Sequence, residues 1–453
     1  MSHCNAITDV VANISDSIAE STAMDSQLFD SYQVKKGLRN KDFTGVLVGL
    51  TNIGEVVGYE REGDKITPVD GHLYYRGIDL HEIAENLEAS SRFGFDEVVY
   101  LLLTGRQPTK SELTCFECFL SEHRELPNDV VNNLILSLSG KNIMNMLART
   151  VLGLYTLDDK ADDISPQNLT EQSLNLIAKF PEIIAYAYHG MRHNHEHEPL
   201  VIRHPRKELS TAENFLYLLK GEDYTRLEAE ILDLSLILHA EHGGGNNSTF
   251  TIRVTSSSGT DTYSAIASAL SSLNGPLHGG ANLKAQNMME HLMENIKNWD
   301  DDEEVKDYLK RILKKEAYDG TGKIYGMGHA IYTLSDPRSV LLKRKAKQLS
   351  IEKGREAEYA LYESVERLTP EVFKEIKGPN AKALCANVDL YSGFVYSSIG
   401  VPKELYTPLF AMARVAGWCA HRIEELNFVA KRIIRPAYKG VFDRREYIPL
   451  SER

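Results

Sequence analysis

Apolar residues recur at helical spacing along most of this chain, and this pattern constrains the fold more than any other feature. Period-two alternation of β-branched residues is confined to Gly45–Thr51 and Glu55–Gly58, so few strands are expected. No repeat of fixed period is present, which argues against a solenoid. The sequence therefore predicts an all-α protein. The clearest predicted helical segments are Asp96–Leu103, Val130–Leu138, Ala212–Leu219, Arg226–Leu238, Thr262–Leu273, Val305–Leu313, Val340–Leu368 and Tyr406–Leu426.

Size and cysteine usage narrow the class of protein. The 453 residues exceed what one hydrophobic core usually supports, so two domains are expected. Apolar runs such as Leu234–Leu238 are too short for a membrane span, and no secretory signal is expected from the first residues, MSHCNAITDV. Cys115 and Cys118 form a C-x-x-C pair without a second pair to complete a zinc site, and the cysteines are too scattered for a disulfide framework. A cytoplasmic protein without a metal centre is predicted.

The charge balance limits the possible partners. A formal net charge of −13 argues against nucleic acid or an anionic membrane as a partner. It also repels anionic substrates at long range, so a site for them needs local arginines. Arg414, Arg432 and Arg435 are isolated basic residues in apolar surroundings, and such arginines are rarely buried unless they meet anions.

Two glycine-bracketed segments carry histidines. The first, residues 238–248 (LHAEHGGGNNS), ends an apolar helix and runs into three glycines, where a backbone can approach a ligand and Asn246 or Ser248 can cap the next helix. It is also compatible with a plain loop. The second, residues 274–282 (NGPLHGGAN), places His278 before a helix that begins at about Ala281. The helix dipole favours a neutral imidazole there, which can donate a hydrogen bond to a developing oxyanion, although His278 could instead cap a turn.

Two further segments supply an arginine and an acid. In residues 326–338 (GMGHAIYTLSDPR) glycines bracket His329, and a turn at Asp336 could bring Arg338 back toward it. The planar guanidinium can grip a carboxylate through two parallel hydrogen bonds. In residues 387–393 (NVDLYSG), partial burial of Asp389 would raise its pKa and make it a better acceptor of a proton from a weak carbon acid, whereas the alternative is a helix N-cap. Together the four segments indicate proton abstraction next to a carbonyl.

In this order the motifs resemble the citrate synthase family. They are HAEHGGGN (239–246), GPLHGGAN (275–282), GMGHAIYTLSDPR (326–338), NVDLYSG (387–393), RVAGW (414–418) and RP (435–436), with LYYRGIDL (73–80) and FDEVVYLLLTGRQPT (95–109) in agreement. The likeness runs from about Gly45 to Ile448. It implies condensation of acetyl-CoA with oxaloacetate and water to citrate and CoA, at the entry to the tricarboxylic acid cycle, with a CoA thioester as substrate and no further cofactor. It also implies an all-helical homodimer with a large domain (1–277 and 400–453), a small domain (278–399) and the active site between them.

The resemblance also implies roles for individual residues. Asp389 is the base that removes a proton from the acetyl methyl group, His278 is the neutral donor to the thioester oxygen, and His329 polarises the ketone of oxaloacetate and supplies a proton. His239 is implied to be structural. This chain departs from the family pattern at two positions. Gly243 stands where relatives often have an acidic residue, and Met327 stands where an aromatic residue is frequent. The implied oxaloacetate contacts are His242, Asn246, Arg338 and Arg414, with Arg435 from the other subunit, and the implied CoA contacts are Lys323, Ile324, Tyr325, Gly326 and Gly328.

Three alternatives remain at the level of sequence. The first is 2-methylcitrate synthase, which takes propionyl-CoA, because one methylene is worth only about 1–3 kcal/mol in an apolar pocket. The second is a metal-binding or sensing protein, based on a histidine-rich tract whose alternating spacing is typical of a solvated loop. The third is an inactive relative, although every required position is occupied. The histidines of the tract are His189, His193, His195, His197 and His204.

Overall fold

The computed structural model describes residues 2–40, 42, 44–63, 65–378 and 381–453. It separates into two units, Met1–Gly49 and Leu50–Arg453. The first unit contains the helices α1 (Ser2–Thr22) and α2 (Gln27–Ser31) and a 3-10 turn at Lys36–Leu38. Residues 45–51, predicted to be extended, form no strand there, and the prediction is wrong: only an isolated bridge joins Gly45 to Arg39.

The second unit is helical, as predicted. Its helices are α3 (Leu80–Ala89), α4 (Phe95–Thr104), α5 (Lys110–Glu122), α6 (Ile143–Leu154), α7 (Pro166–Glu196), α8 (Thr211–Lys220), α9 (Arg226–His239), α10 (Asn247–Ser257), α11 (Thr262–Asn274), α12 (Ala281–Asn295), α13 (Asp302–Leu313), α14 (Pro337–Lys353), α15 (Glu356–Lys377), α16 (Val388–Ser398) and α17 (Tyr406–Asn427). A π-helical segment lies at Val130–Leu136, and 3-10 turns lie at Tyr155–Leu157, Lys403–Leu405 and Leu450–Glu452.

The long apolar run Val340–Leu368 is not one helix, contrary to the prediction. It spans most of α14 and the first part of α15, because Gly354 adopts a left-handed conformation (φ 64°) that ends α14. Most other predicted helices are confirmed with small shifts in their ends. Local signals explain these ends: Ser210 and Glu213 form a capping box at the start of α8, and Thr225 caps α9 by accepting from Glu228 N.

One antiparallel sheet supports the region around the histidine motifs. Its strands are β1 (Gly54–Glu62), β2 (Lys65–Tyr75) and β3 (Ile78–Asp79), in the order β1-β2-β3. The predicted strand at Glu55–Gly58 is thus confirmed within β1, while β2 lacked a clear alternating signal. Gly58 and Gly71 let the loop before α14 pack closely, since a Cβ at these positions would meet Ile331 O at 2.8 Å and Ser335 O at 2.1 Å.

Helix α17 passes through the core and carries several polar side chains into it. It packs against α7, α9, α10 and α11. Trp418, Cys419 and Ala413 on this helix are fully buried, and so are Arg414 and His421. Within the described part of the chain, none of the helices has the length and apolar character needed to cross a membrane.

Candidate active site

The loop after α9 presents His242. The residue is buried (8% exposed). The next residue, Gly243, has a left-handed conformation (φ 80°) and reverses the direction of the chain there. Asn246 occupies the N-cap position of α10 without a capping bond from its side chain. His239, at the end of α9, donates from Nδ1 to Ser235 O at 2.7 Å, and burial lowers its pKa to about 3. His239 is therefore a neutral buried residue.

His278 lies in the turn between α11 and α12, and α12 begins at Ala281 as predicted. Its Nε2 is 3.1 Å from Ser248 Oγ, which also accepts a hydrogen bond from Trp418 Nε1 at 3.2 Å. The Ser248 hydroxyl also donates to Asn246 Oδ1 at 3.0 Å; when it donates to His278 Nε2 instead, the imidazole carries its proton on Nδ1. Burial lowers the pKa of His278 to about 4, and the charge of Arg414 acts in the same direction. The ring is therefore neutral near pH 7.

Two loops that carry predicted catalytic residues are joined by hydrogen bonds. Gly328 N donates to Cys385 O at 2.7 Å, and Asn387 N donates to Gly326 O at 2.9 Å. The Asn387 side chain adds a bond from Nδ2 to Gly328 O at 2.8 Å. Gly326 has φ 80° and approaches α16 so closely that a Cβ would lie 2.9 Å from Leu390 Cα. These bonds hold the segments before His329 and Asp389 side by side.

The ring of His329 has a defined tautomer. Its Nδ1 accepts hydrogen bonds from the backbone nitrogens of Ile331 and Tyr332, both at 3.1 Å, so the proton of the imidazole lies on Nε2. The ring stacks on Tyr332 with centroids 4.6 Å apart, and its centroid is 5.1 Å from that of His242. His329 thus presents an N–H donor beside a second histidine.

Asp389 lies in the first turn of α16 and is half-buried. It is not the N-cap, the alternative considered above, because Asn387 occupies that position and accepts from Asp389 N at 3.0 Å. Burial raises the pKa of Asp389 to about 6; Arg338 opposes this shift and Asp336 adds to it. The carboxylate is therefore more basic than an exposed aspartate but remains ionised at neutral pH.

Two of the predicted arginines are buried near these groups. Arg338 is 4% exposed and is held by Asp336 through bonds of 3.0 Å from Nε and 2.8 Å from Nη2. Arg414 is fully buried; its Nε donates to His239 O at 2.6 Å, whereas both terminal nitrogens are buried without a partner in the described structure. Buried donors of this kind indicate a site for an anion.

Electrostatics place these groups in one neighbourhood. Burial lowers the pKa of His242 well below its ordinary value, and the charges of Arg338 and Arg414 act in the same direction. Arg435, in contrast, is exposed in the extended segment after α17, where the adjacent Ile434 N donates to Ser257 Oγ at 3.1 Å. In this single chain Arg435 therefore does not join the buried cluster.

The predicted CoA-binding segment lines a cavity of about 280 Å³. Lys323, Ile324, Tyr325 and Gly326 contribute to its wall, together with Phe373, while Gly328 lies just beyond it. Tyr325 is fixed by a bond from its hydroxyl to Asp319 at 2.7 Å. The cavity adjoins the two joined loops, because Asn387 also lines it.

The histidine-rich tract is mostly helical rather than a loop, which corrects the prediction from its spacing. Helix α7 continues through Glu196, and His197 ends it in a left-handed conformation. His189, His193 and His195 each pair through a ring nitrogen with a backbone carbonyl oxygen, of Leu218, Glu198 and Ser139 respectively. In the described ranges, no group of three or more His, Cys, Asp or Glu side chains is arranged to hold a metal ion.

The comparisons with known proteins agree with this arrangement. The family model described as "Citrate synthase, C-terminal domain" matches residues 42–437. Citrate synthase from a Synechocystis species is 34% identical over 433 residues, which cover 95% of this chain and 96% of that protein. A 2-methylcitrate synthase from Shewanella oneidensis is also 34% identical, over 386 residues (84% of this chain and 92% of that protein).

Among solved structures, a citrate synthase from Thermoplasma acidophilum is similar with a TM-score of 0.74 and 28% identity, covering 93% of this chain and 99% of that one. That structure is a ternary complex with carboxymethyl coenzyme A and oxaloacetate. The protein described here is an all-α acyltransferase, and it belongs to the citrate synthase family. Synthesis of citrate, predicted from the motifs, is the activity that the comparisons favour over 2-methylcitrate synthesis.

Proposed function

We propose that His278, His329 and Asp389 carry out the condensation of acetyl-CoA with oxaloacetate, after which water releases citrate and CoA. The observation that supports this most directly is the combination in one neighbourhood of a carboxylate with a raised pKa and buried arginine donors without partners. Such a set suits the removal of a proton from a weak carbon acid next to a dicarboxylate.

The proposed steps follow from the state of each side chain. Asp389 accepts a proton from the acetyl methyl group while neutral His278 donates a hydrogen bond to the thioester oxygen, where the enolate charge develops. The methyl carbon then attacks the ketone of oxaloacetate, and His329 gives its Nε2 proton to the new alkoxide. Hydrolysis of the resulting citryl-CoA yields citrate and CoA.

The oxaloacetate site is proposed to consist of His242, Asn246, Arg338 and Arg414. Arg338 and Arg414 are buried cations that can each bind a carboxylate oxygen, which offsets the repulsion from the net charge of −13. Arg435 is proposed to come from the second subunit of a homodimer. Its exposure is consistent with this, since the segment that carries it also exposes large apolar side chains such as Val429 and Phe442.

The CoA site is proposed at the cavity lined by residues 322–327, adjacent to the proposed base, Asp389.

We further propose that the chain divides into a large domain (1–277 and 400–453) and a small domain (278–399). This division places Asp389 and His329 on one domain and His242 and Arg414 on the other. A cytoplasmic location is supported by the thiols of Cys115 and Cys118, which are free and exposed.

The acyl-CoA preference can be tested directly. We expect kcat/KM for acetyl-CoA to exceed that for propionyl-CoA, with oxaloacetate saturating and release of CoA thiol as the measured signal. The extra methylene of propionyl-CoA must fit beside the half-buried His278 and Asp389. A methylene that does not fit the pocket costs about 1–3 kcal/mol, which corresponds to a roughly 10- to 200-fold lower kcat/KM. The opposite order of kcat/KM would assign the chain to 2-methylcitrate synthesis.

The pH dependence should report on the base. Because the pKa of Asp389 is raised to about 6, kcat/KM for acetyl-CoA should be constant above this value and fall as the pH drops through it, since the protonated carboxyl group cannot accept a proton. Circular dichroism at each pH serves as the control for unfolding. A profile that stays flat down to about pH 5 in folded protein would contradict this assignment.

A further inference from the structure

A buried hydrogen-bond relay lies behind Arg414. His421, on α17, is fully buried, and its Nε2 is 2.9 Å from Glu241 Oε1. At the other edge of the ring, Arg253 of α10 donates to His421 Nδ1 from Nε at 3.0 Å and from Nη2 at 2.7 Å. Arginine has no acceptor, so Nδ1 must accept and the proton of the neutral ring lies on Nε2. His421 therefore donates a hydrogen bond to Glu241.

Glu241 is fixed through one oxygen only. Its Oε1 accepts from His421 and also from Gly243 N at 2.5 Å. Its Oε2 is buried and has no hydrogen-bond partner among the described residues. This oxygen packs against α17 at Gly417, where a Cβ would lie 2.5 Å away, and Gly417 is one helical turn from Arg414. A second glycine, Gly54 of β1, packs on the other side of the side chain, with its Cβ position 2.8 Å from Glu241 Cγ.

Arg414, like Glu241, has buried polar atoms that form no hydrogen bond in the described structure. Its two terminal nitrogens and Glu241 Oε2 are all buried, and none of the three has a hydrogen-bond partner among the described residues. Burial lowers the pKa of Arg414 to about 10, and the carboxylate of Glu241 is the strongest opposing influence. Glu241 Oε2 packs on α17 one helical turn from Arg414, yet no ion pair joins the two groups in the described structure, although buried opposite charges gain most when they pair directly.

We propose that His421 is a positioning residue: held by Arg253, it keeps Glu241 from pairing with Arg414 and so leaves both terminal nitrogens of Arg414 open for a carboxylate of oxaloacetate. Arg253 itself is anchored at the far end by Glu425, from Nη1 at 2.8 Å, and by Glu424. The inference rests on the proposed function, because it takes oxaloacetate as the anion.

The test is a double-mutant cycle on oxaloacetate binding, measured by titration calorimetry. His421→Leu removes the donor and releases Glu241 to pair with Arg414, so the Kd for oxaloacetate should rise about tenfold or more. Adding Glu241→Gln removes the competing carboxylate, and the Kd should return to within about threefold of the wild-type value. His421→Gln keeps an N–H donor and is the matched conservative variant, expected to bind almost as well as the wild type.

Two outcomes would overturn the proposal. One is an unchanged Kd in His421→Leu, and the other is a double variant that binds as weakly as the single variant or more weakly, as expected if His421 only fills space. Thermal unfolding checks that each variant is folded; if His421→Leu is not, the same cycle is run with His421→Asn, whose amide is too short to reach Glu241. Absence of oxaloacetate binding by the wild-type enzyme would instead contradict the proposed function.

Discussion

Replacing Asp389 with asparagine is expected to lower kcat by about a thousandfold, within the range typical of a lost general base. Asparagine has nearly the same shape and keeps the first turn of α16, whose cap comes from Asn387, but it cannot accept the methyl proton. Oxaloacetate binding should change little, by less than about threefold, because the base acts on the other substrate. The measurement is steady-state kcat together with the Kd for oxaloacetate.

Asp302→Asn is the matched control for this change, since Asp302 is a solvent-exposed carboxylate paired with Arg367 and neither residue belongs to the proposed site. It should leave kcat unaltered. If Asp389→Asn reduced kcat and oxaloacetate affinity to the same extent, Asp389 would be a binding or structural group and not the base.

Replacing Arg338 with leucine is expected to raise the Kd for oxaloacetate by about a hundredfold, because a buried charge-assisted contact to a carboxylate is lost. The change also leaves Asp336 as a buried charge without its bidentate partner. We therefore expect the free energy of unfolding to fall by about 3–5 kcal/mol. Calorimetric titration and denaturant unfolding measure the two effects.

The two effects of Arg338→Leu can be separated. In the double variant Asp336→Asn/Arg338→Leu the buried charge is removed, so much of the stability should return while oxaloacetate binding stays weak. Arg367→Leu, which breaks an equally bidentate but exposed pair with Asp302, is the matched control for both measurements. Unchanged oxaloacetate affinity in folded Arg338→Leu protein would remove Arg338 from the site.

The fold was predictable because helical spacing is a local signal. Helices such as α9 and α17 could be predicted almost to the residue, since the apolar face of each lies within one short segment, and Thr225 adds a capping signal at the start of α9. The break at Gly354 was missed because the apolar pattern continues on both sides of it. Strand β2 was missed because only its last few residues are buried, so its alternation is weak.

The site was predictable only in part. Glycine-bracketed histidines and isolated arginines are visible in the sequence, and the resemblance supplied their proposed roles. The residues that orient them were not recognised, because Ser248 beside His278 and the relay from Arg253 through His421 depend on contacts between distant helices. The acid within the first histidine motif, Glu241, was the one available hint.

The hydrogen bonds between residues 326–328 and 385–387 have a consequence for the timing of the reaction. They tie the segment before His329, the proposed ketone-polarising group, to the segment before Asp389, the proposed base, so the two residues move together. The spacing between them is then fixed by these bonds, while their distance to His242 and Arg414 depends on how the two proposed domains are arranged. In the proposed two-domain arrangement, a domain movement would change the distance from both residues to Arg414 without altering the spacing between Asp389 and His329.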